Sequence, residues 1–268
     1  RTDTMNKTGE EPILSLPERH NRILALLQQF GSISVAQLAE RFKVSEVTIR
    51  KDLSYLEQQK KLYRTHGSAI LISPYISDRH VNEKEKRNVA EKRAIGAFAA
   101  SLIAQDDSII IASGTTVTFL AREINPAGHL TAITASVPVT QILSQCPDVD
   151  VIQLGGITRS SSVSVVGPFA EQMLRSFNCS KLFIGVDGID TEFGLTTTNM
   201  LEASLNGAMI DAAQKVIVLA DSSKFGRRGF SKICDLESVD RIITDSGVQS
   251  VYLDRLRERG IEVTVVDV

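Results

Sequence analysis

Seven short apolar runs, rich in β-branched residues, recur along the last two-thirds of the chain and constrain its fold more than any other feature. They read "SIIIAS" from Ser108, "LTAITA" from Leu130, "VDVIQLGG" from Val149, "KLFIGVDG" from Lys181, "KVIVLAD" from Lys215, "RIITD" from Arg241 and "EVTVVD" from Glu262. Helical patterns separate them: "TVTFLAREI", "VPVTQILSQ", "GPFAEQMLRSF", "LEASLNGAMIDAAQ" and "SVYLDRLRERG", with the amphipathic "AEKRAIGAFAASLIAQ" ahead of the first run. Runs apolar throughout belong to strands covered on both faces, and βα alternation makes such strands parallel. The expected fold class is therefore α/β, with a mostly parallel sheet between helices.

Ligands of such sheets sit at the carboxyl ends of the strands, so polar residues there are the candidates for chemistry. The first run leads through Ser113, Gly114, Thr115 and Thr116 straight into a helix. Backbone N–H groups at that helix start, with small hydroxyls beside them, can cradle an anion; a plain turn would carry the same letters. The third run ends in Gly155 and Gly156, which allow close backbone approach, and Arg159 follows, fit either to pair with a phosphate or to sit in water. "IGVDGID" brings Asp187 and Asp190 to another strand end, "LTTTNMLEA" opens a helix with Thr197, Asn199 and Glu202, and "LADSSKFG" sets Lys224 after the fifth strand.

The first 72 residues differ in pattern and charge. They carry 11 Lys and Arg against 8 Asp and Glu, net +3, whereas the remaining 196 carry 19 against 24, net −5. A small basic module on a larger acidic one suits a chain of which one part meets a polyanion. "SLPERHNRILALLQQFG" has capping-box spacing at Ser15 and Glu18 and an apolar stripe at Ile23, Leu26, Leu27 and Phe30; "SVAQLAERFKV" repeats it with Ser34 and Gln37. "VSEVTIRKDLSYLEQQ" makes a third helix with Ser45 as its cap, and "KKLYRTHGSAILI" alternates around a glycine, as a hairpin does. Three helices and a hairpin compose a winged helix-turn-helix.

On a helical wheel, Ile49, Leu53 and Leu56 share the inner face of the third helix. Val47, Lys51 and Ser54 point the other way, with Thr48 and Arg50 on the flanks. Arg and Lys can donate to guanine O6 and N7, and Val or the Thr methyl can touch a thymine methyl, so this face suits a major groove. Asp52 is expected to tie the helix to its neighbours, because a carboxylate facing DNA would be repelled.

A chain of 268 residues with 43% apolar and 23% charged residues fits two globular domains. No apolar run approaches the roughly 20 residues of a membrane-spanning helix. Cys146, Cys179 and Cys234 are far apart and lack metal-ligand spacing, which predicts reduced thiols in a cytoplasmic protein. No catalytic group, metal site or cofactor is expected. The expected organisation is a disordered leader over 1–14, a DNA-binding domain over 15–72, a linker over 73–88 in "SPYISDRHVNEKEKRNV", and an effector-binding domain over 89–268. The leader has no hydrophobic signal core, and Arg1 ahead of Met5 reads as a few non-native residues.

The stretch "SEVTIRKDLSYLEQQKKLYRTHGSA" closely resembles the N-terminal domain of the DeoR family of bacterial sugar-operon repressors. The family pattern falls on Ser45, on Thr48 through Leu53, on Leu56 and Glu57, and on Arg64 through Gly67, with Ser68 where the family has a second glycine. The resemblance implies DNA contact by Ser45, Val47, Thr48, Arg50, Lys51, Ser54, Arg64 and His66. "SGTT", "GG", "GVDGID", "GLTTTN" and "DSSKFG" resemble the family's C-terminal sensor domain, related in fold to ribose-5-phosphate isomerase; Ala112 stands where many members have an aspartate.

That resemblance implies a phosphorylated sugar held through Gly114, Thr115, Thr116 and Lys224, with Asp187, Asp190, Asn199 and Glu202 orienting hydroxyls. Two distinct sites on one chain lead to the expectation of a two-state homo-oligomer, dimer or higher, that leaves double-stranded operator DNA when the effector binds. Two other functions fit parts of the pattern. A sugar-phosphate isomerase would use the same carboxylates and lysine, but enzymes of that fold carry Lys-Gly-Gly-Gly where this chain has Thr-Thr-Thr-Asn. A sensor acting through a protein partner would show no ligand-dependent DNA affinity.

Overall fold

Ser15 starts the first described element by offering its N–H to Glu18 Oε2 at 3.0 Å, which satisfies a donor at the helix start. The structure is a computed structural model that describes residues 15–30, 32–59, 61–65, 68–71 and 81–268. The chain divides between Ser73 and Pro74 into two units.

The N-terminal unit runs α1 (Leu16–Phe30), β1 (Ser32–Ser34), α2 (Val35–Phe42), α3 (Glu46–Gln58), β2 (Leu62–Thr65) and β3 (Ser68–Leu71). Ser34 and Gln37 form a full capping box at α2, and Lys43 ends that helix in the left-handed conformation at φ 53°. Ser45 caps α3 by accepting from Thr48 N–H at 3.2 Å. The apolar stripes of the three helices meet in one core around Ile23, Leu27, Leu38, Ile49, Leu53 and Leu56. The hairpin gains a third strand that the sequence does not announce: β1 pairs antiparallel with β3, giving the order β1-β3-β2. Three residues just ahead of a capped helix are too short to show period-two alternation.

The second unit runs α4 (Val81–Glu85), α5 (Val89–Ala100), β4 (Ser108–Ile111), α6 (Thr115–Glu123), β5 (Leu130–Thr134), α7 (Val137–Leu143) and β6 (Val149–Gln153). It continues through β7 (Ile157–Arg159), β8 (Ser164–Val166), α8 (Pro168–Leu174), β9 (Lys181–Gly185), β10 (Gly188–Asp190), β11 (Gly194–Thr197) and α9 (Met200–Asp211). It closes with β12 (Val216–Leu219), β13 (Ser231–Cys234), β14 (Arg241–Asp245), α10 (Ser250–Glu258) and β15 (Glu262–Val266).

All seven apolar runs enter one parallel sheet of order β15-β14-β12-β9-β4-β5-β6. Alternate strand residues feed two cores. Ile109, Ile111, Phe183 and Ile217 meet α5, α6 and α7 on one face, whereas Ile110, Leu182, Ile184 and Val218 meet α8, α9 and α10 on the other. Full burial of each such side chain contributes about 1.5–3 kcal/mol, which is why these short runs set the fold. Beyond the main sheet lie the β7–β8 hairpin and an antiparallel sheet of order β10-β11-β13, both absent from the sequence-based expectation.

Residues 81–88, expected as linker, pack into this second unit. Val81 N–H donates to Ser161 O at 2.7 Å, and Asn88 Nδ2 donates to Asp221 Oδ1 at 2.8 Å. Their charge run reads as solvated in sequence, but Lys84 finds a buried acceptor in Asp187, whereas Lys86 and Arg87 are exposed.

Candidate functional site

On α3 the inner face is fully buried and the outer face is open. Val47 is 58% exposed, Arg50 and Lys51 are exposed, and Thr48 and Ser54 are half-buried beside them. Arg50 Nη2 lies 2.6 Å from Glu46 Oε2, one turn earlier. Ser54 Oγ donates to Arg50 O at 2.8 Å and in turn accepts from Arg64 Nη1. Arg64 N–H also donates to Glu57 Oε1 at 3.0 Å, so the hairpin arginine is pinned to α3 at two points. Ser45 spends its side chain on the cap, with its Oγ 2.9 Å from Thr48 Oγ1.

Asp52 faces the opposite way. It is buried and takes a bidentate contact from Arg19, Nε to Oδ2 at 2.6 Å and Nη2 to Oδ1 at 3.0 Å, with His20 Nε2 3.1 Å from Oδ1. The hydrogen bonds to Asp52 raise the Arg19 guanidinium above its ordinary value, against a smaller effect of burial. This pair ties α1 to α3, as expected of a carboxylate that cannot face a polyanion.

In the second unit, a cavity opens at the carboxyl ends of β4, β9 and β12. Ser113, Gly114, Thr115 and Thr116 form one wall, where the chain turns from β4 into α6. Gly114 caps that helix at φ 134°, a conformation that residues with a Cβ rarely adopt, and its missing side chain leaves open space. Across from it stand Asp187 after β9, Glu202 and Asn206 on α9, and Lys224. Lys224 ends a 3-10 turn, Ser222–Lys224, that Asp221 caps through Ser223 N–H at 3.1 Å.

Asp187 is the hub of the cavity. Its Oδ1 accepts from Lys84 Nζ at 2.9 Å and lies 3.9 Å from Lys224 Nζ. Its Oδ2 accepts from Thr197 Oγ1 at 3.2 Å and Thr198 Oγ1 at 3.3 Å. Burial alone would raise the Asp187 carboxyl, but Lys84 and Lys224 outweigh it and hold the group below the ordinary carboxylate range. Burial lowers the Lys224 ammonium, and Asp187 and Asp221 restore part of that shift. Glu202 faces Arg159, whose Nε lies 3.3 Å from Oε1.

Among the described residues, no three His, Cys, Asp or Glu gather to hold a metal ion, and no helix is long and apolar enough to cross a membrane. An open helix face beside a pinned hairpin, and a cavity lined by two lysines and two carboxylates at the carboxyl ends of central parallel strands, are features that known proteins share. The model of the DeoR-like helix-turn-helix domain matches residues 19–75, and that of the DeoR C terminal sensor domain matches residues 87–246. The chain belongs to the DeoR family.

Full-length relatives of this DeoR-family regulator include the uncharacterized HTH-type transcriptional regulator YulB of Bacillus subtilis, 39% identical over 93% of this chain and 96% of that protein. A putative aga operon transcriptional repressor of Escherichia coli O157:H7 is 37% identical over 97% of both chains. The lactose phosphotransferase system repressor of Streptococcus mutans is 36% identical over 85% of this chain and 91% of that one. These relatives are named as transcriptional regulators, and this chain is a DNA-binding regulator rather than an enzyme. A solved ribose 5-phosphate isomerase A from Neisseria gonorrhoeae overlaps 51% of this chain and 53% of its own at 17% identity and a TM-score of 0.36, too loose a match to bear on chemistry.

The DeoR-family cavity gathers Ser113, Gly114, Thr115, Thr116, Asp187, Thr197, Glu202 and Lys224 from the sequence-based expectation. Five expected members stand outside its lining. Asp190 is buried against Arg228, Nε to Oδ2 at 2.8 Å and Nη2 to Oδ1 at 3.0 Å, and accepts from the N–H groups of Glu192 and Phe193. Asn199 caps α9 by accepting from Leu201 and Glu202 N–H. Gly155 meets Met173 Sδ, and Gly156, at φ 151°, has no room for a Cβ because Val166 O would lie 2.8 Å away. The close approach expected at the glycine pair is thus made by the chain's own β8. Arg159 does not line the cavity but touches two residues that do, Glu202 at 3.3 Å through Nε and Ser161, to whose Oγ its Nη2 donates at 2.8 Å. His66 lies outside the described residues.

The sequence reading missed Lys84, Ser161, Ser162 and Asn206, all of which line the cavity. One signal was available: Asn206 sits four residues after Glu202, on the same side of the helix.

Proposed function

We propose that this DeoR-family regulator represses a carbohydrate-utilisation operon and is released from its operator by a phosphorylated sugar or related metabolite bound in the second unit. The observation that carries the reading is the cavity at the end of β4: backbone N–H groups at the start of α6, the hydroxyls of Ser113, Thr115 and Thr116, and the ammonium groups of Lys224 and Lys84 around one buried carboxylate. Such a set complements a dianionic group, with Glu202 and Asn206 placed for neutral hydroxyls. The names of the relatives, an aga operon repressor and a lactose phosphotransferase system repressor, support carbohydrate operons as targets.

In this reading residues 15–72 hold DNA. Val47, Thr48, Arg50 and Lys51 enter the major groove of double-stranded operator DNA, and Arg64 and His66 follow the backbone from the hairpin. Ser45 and Ser54 contribute by holding Thr48 and Arg64 in place. A homo-oligomer, dimer or higher, presents paired reading heads to two half-sites, and effector binding shifts the population toward an arrangement that no longer fits them. The test is operator affinity of the full chain with and without hexose and pentose phosphates at saturating concentration. A fall of about 5-fold to 150-fold, the usual range of such coupling, is expected for the cognate compound. Equal affinity with every sugar phosphate contradicts the reading.

A further inference from the structure

The second unit leaves large apolar side chains in water on one of its faces. Phe169 on α8 and Phe230 just ahead of β13 are 69% and 71% exposed, and Ile157 on β7 with Met200 and Leu201 at the start of α9 are exposed as well. Three links bring the five together. Ile157 pairs with Val166 in the β7–β8 hairpin, three residues ahead of Phe169. Arg159 of the same strand lies 3.3 Å from Glu202, the neighbour of Leu201. Thr197, three residues ahead of Met200, pairs with Ser231, the neighbour of Phe230. α8 and α9 pack against each other and close the group.

Where a ring of this unit stays in water, the chain covers it. Phe193, between β10 and β11, has the Arg228 guanidinium 5.1 Å and the Lys232 ammonium 5.2 Å from its ring centroid, and it is far less exposed than Phe169 and Phe230. Single exposed apolar residues are ordinary, but a contiguous patch of several hundred Å² marks an interaction site. Five side chains exposed to this degree present about 500 Å² of apolar surface, on the scale of 150–250 Å² for one fully buried aromatic residue. At the roughly 65% apolar area of a homodimer interface, that patch corresponds to about 800 Å² per partner, the size of a standard stable contact. The neighbours Thr158, Pro168, Gly229 and Ser231 carry no charge, and Glu202 turns inward to the cavity. A face of one charge sign would repel its own copy across a two-fold axis, whereas this one can meet itself.

We propose that the face built by Ile157, Phe169, Met200, Leu201 and Phe230 is where two copies of this chain meet. The inference rests on the homo-oligomer of the function proposed above and gives it a location. The contact is isologous, so each copy supplies the same residues. The elements that carry the face also wall the effector cavity. Glu202 lines the cavity one residue after Leu201, and Ser161 and Ser162 line it from the turn between β7 and β8. Effector and second copy therefore meet two sides of the same first turn of α9.

The test is the assembly state of the full chain by sedimentation equilibrium, for wild type and for Phe169→Glu, Phe230→Glu, Phe230→Ser and Val268→Glu. Val268, exposed after the outer strand β15, is the control. Wild type is expected to be a dimer or a multiple of one. Phe169→Glu and Phe230→Glu are expected to raise the dissociation constant at least about 30-fold, as loss of a central aromatic anchor does, and Phe230→Ser about tenfold. Val268→Glu leaves it unchanged. The substituted side chains stand in water in a single copy, so the far-ultraviolet circular dichroism stays that of wild type. Phe230→Ser carries the test where a glutamate perturbs the fold. A wild-type tetramer that falls to dimers in the phenylalanine variants also supports the proposal, as one of two contacts. An oligomeric wild type whose dissociation constant moves in none of the phenylalanine variants, or moves as far in Val268→Glu, removes the inference alone. A wild type that stays monomeric removes the homo-oligomer and this inference together, while the effect of sugar phosphates on operator affinity judges the rest of the functional reading separately.

Discussion

The guanidinium of Arg19 on α1 closes both of its forks on the carboxylate of Asp52 on α3, at 2.6 and 3.0 Å. Both side chains are buried, and His20 stacks on the exposed Tyr55 at 5.1 Å between ring centroids, which covers the pair from one side. Removing one partner of a buried ion pair leaves the other uncompensated, at a cost of about 3–5 kcal/mol. Asp52→Ala is therefore expected to lower the stability of the N-terminal unit by about 3 kcal/mol and to abolish operator binding, because α3 loses its tie to α1. Urea denaturation followed by circular dichroism measures the first and anisotropy the second. Glu46→Ala, which opens only the exposed pair with Arg50, serves as the control and should change stability by less than about 0.5 kcal/mol.

That same pair decides how Arg50 behaves. With side-chain exposures of 55% and 47%, the Arg50–Glu46 contact is weak enough for Arg50 to leave it for a base edge. Arg50→Ala is expected to cost about 1–3 kcal/mol on the cognate operator and to relax selection at one base pair, as loss of a guanine contact does. Lys51→Ala is expected to weaken all sequences together and to reduce the salt slope by about 1. Binding to an operator library at two salt concentrations separates the two, and a uniform loss for Arg50→Ala would assign it to phosphate instead.

The main sheet was legible because its strands are continuous β-branched runs such as Ile109–Ile110–Ile111, which no exposed segment would carry. The small antiparallel sheet was not. Gly188–Asp190 and Gly194–Thr197 mix glycine, threonine and aspartate in three or four residues, and their burial comes from packing rather than from a period. In the cavity, Ser113 to Thr116, Asp187 and Lys224 were readable as polar residues at strand ends. Lys84 was not, since a lysine in a charge run reads alike whether its ammonium meets water or a buried carboxylate 103 residues further on. Asp190 was readable as polar and buried, but sequence cannot say that its partner is Arg228 rather than a ligand.

Lys224 carries the sharpest separation of roles. It stands in the second unit at the cavity, held there by a turn whose cap is Asp221. Lys224→Met is expected to leave operator affinity within about twofold of wild type and to abolish the response to the effector, because the dianion loses the cation nearest the end of β12. Loss of operator binding in a folded Lys224→Met protein would show that the cavity serves stability instead. Anisotropy on the variant, with and without the compound that releases wild type, decides between them.

Asp190 supplies a pH dependence of known sign. Burial alone would raise its carboxyl, but the bidentate Arg228 contact and the N–H groups of Phe193 and Glu192 outweigh it and hold it below the ordinary range. The native state then binds fewer protons than the unfolded chain, so the contribution is fully present above the unfolded carboxylate value of about 4 and is lost as pH falls through the lower native value. The thermal midpoint of the second unit is expected to hold from neutral pH to about 5 and to drop steeply below about 4. Asp190→Asn starts from a lower midpoint and shows a shallower acid limb, since its side chain does not titrate. Its response to effector stays as in wild type at neutral pH, because Asp190 faces Arg228 and not the cavity. Midpoints of the two proteins that fall in parallel with acid would remove Asp190 as a source of the dependence, and a lost response would return it to the binding site.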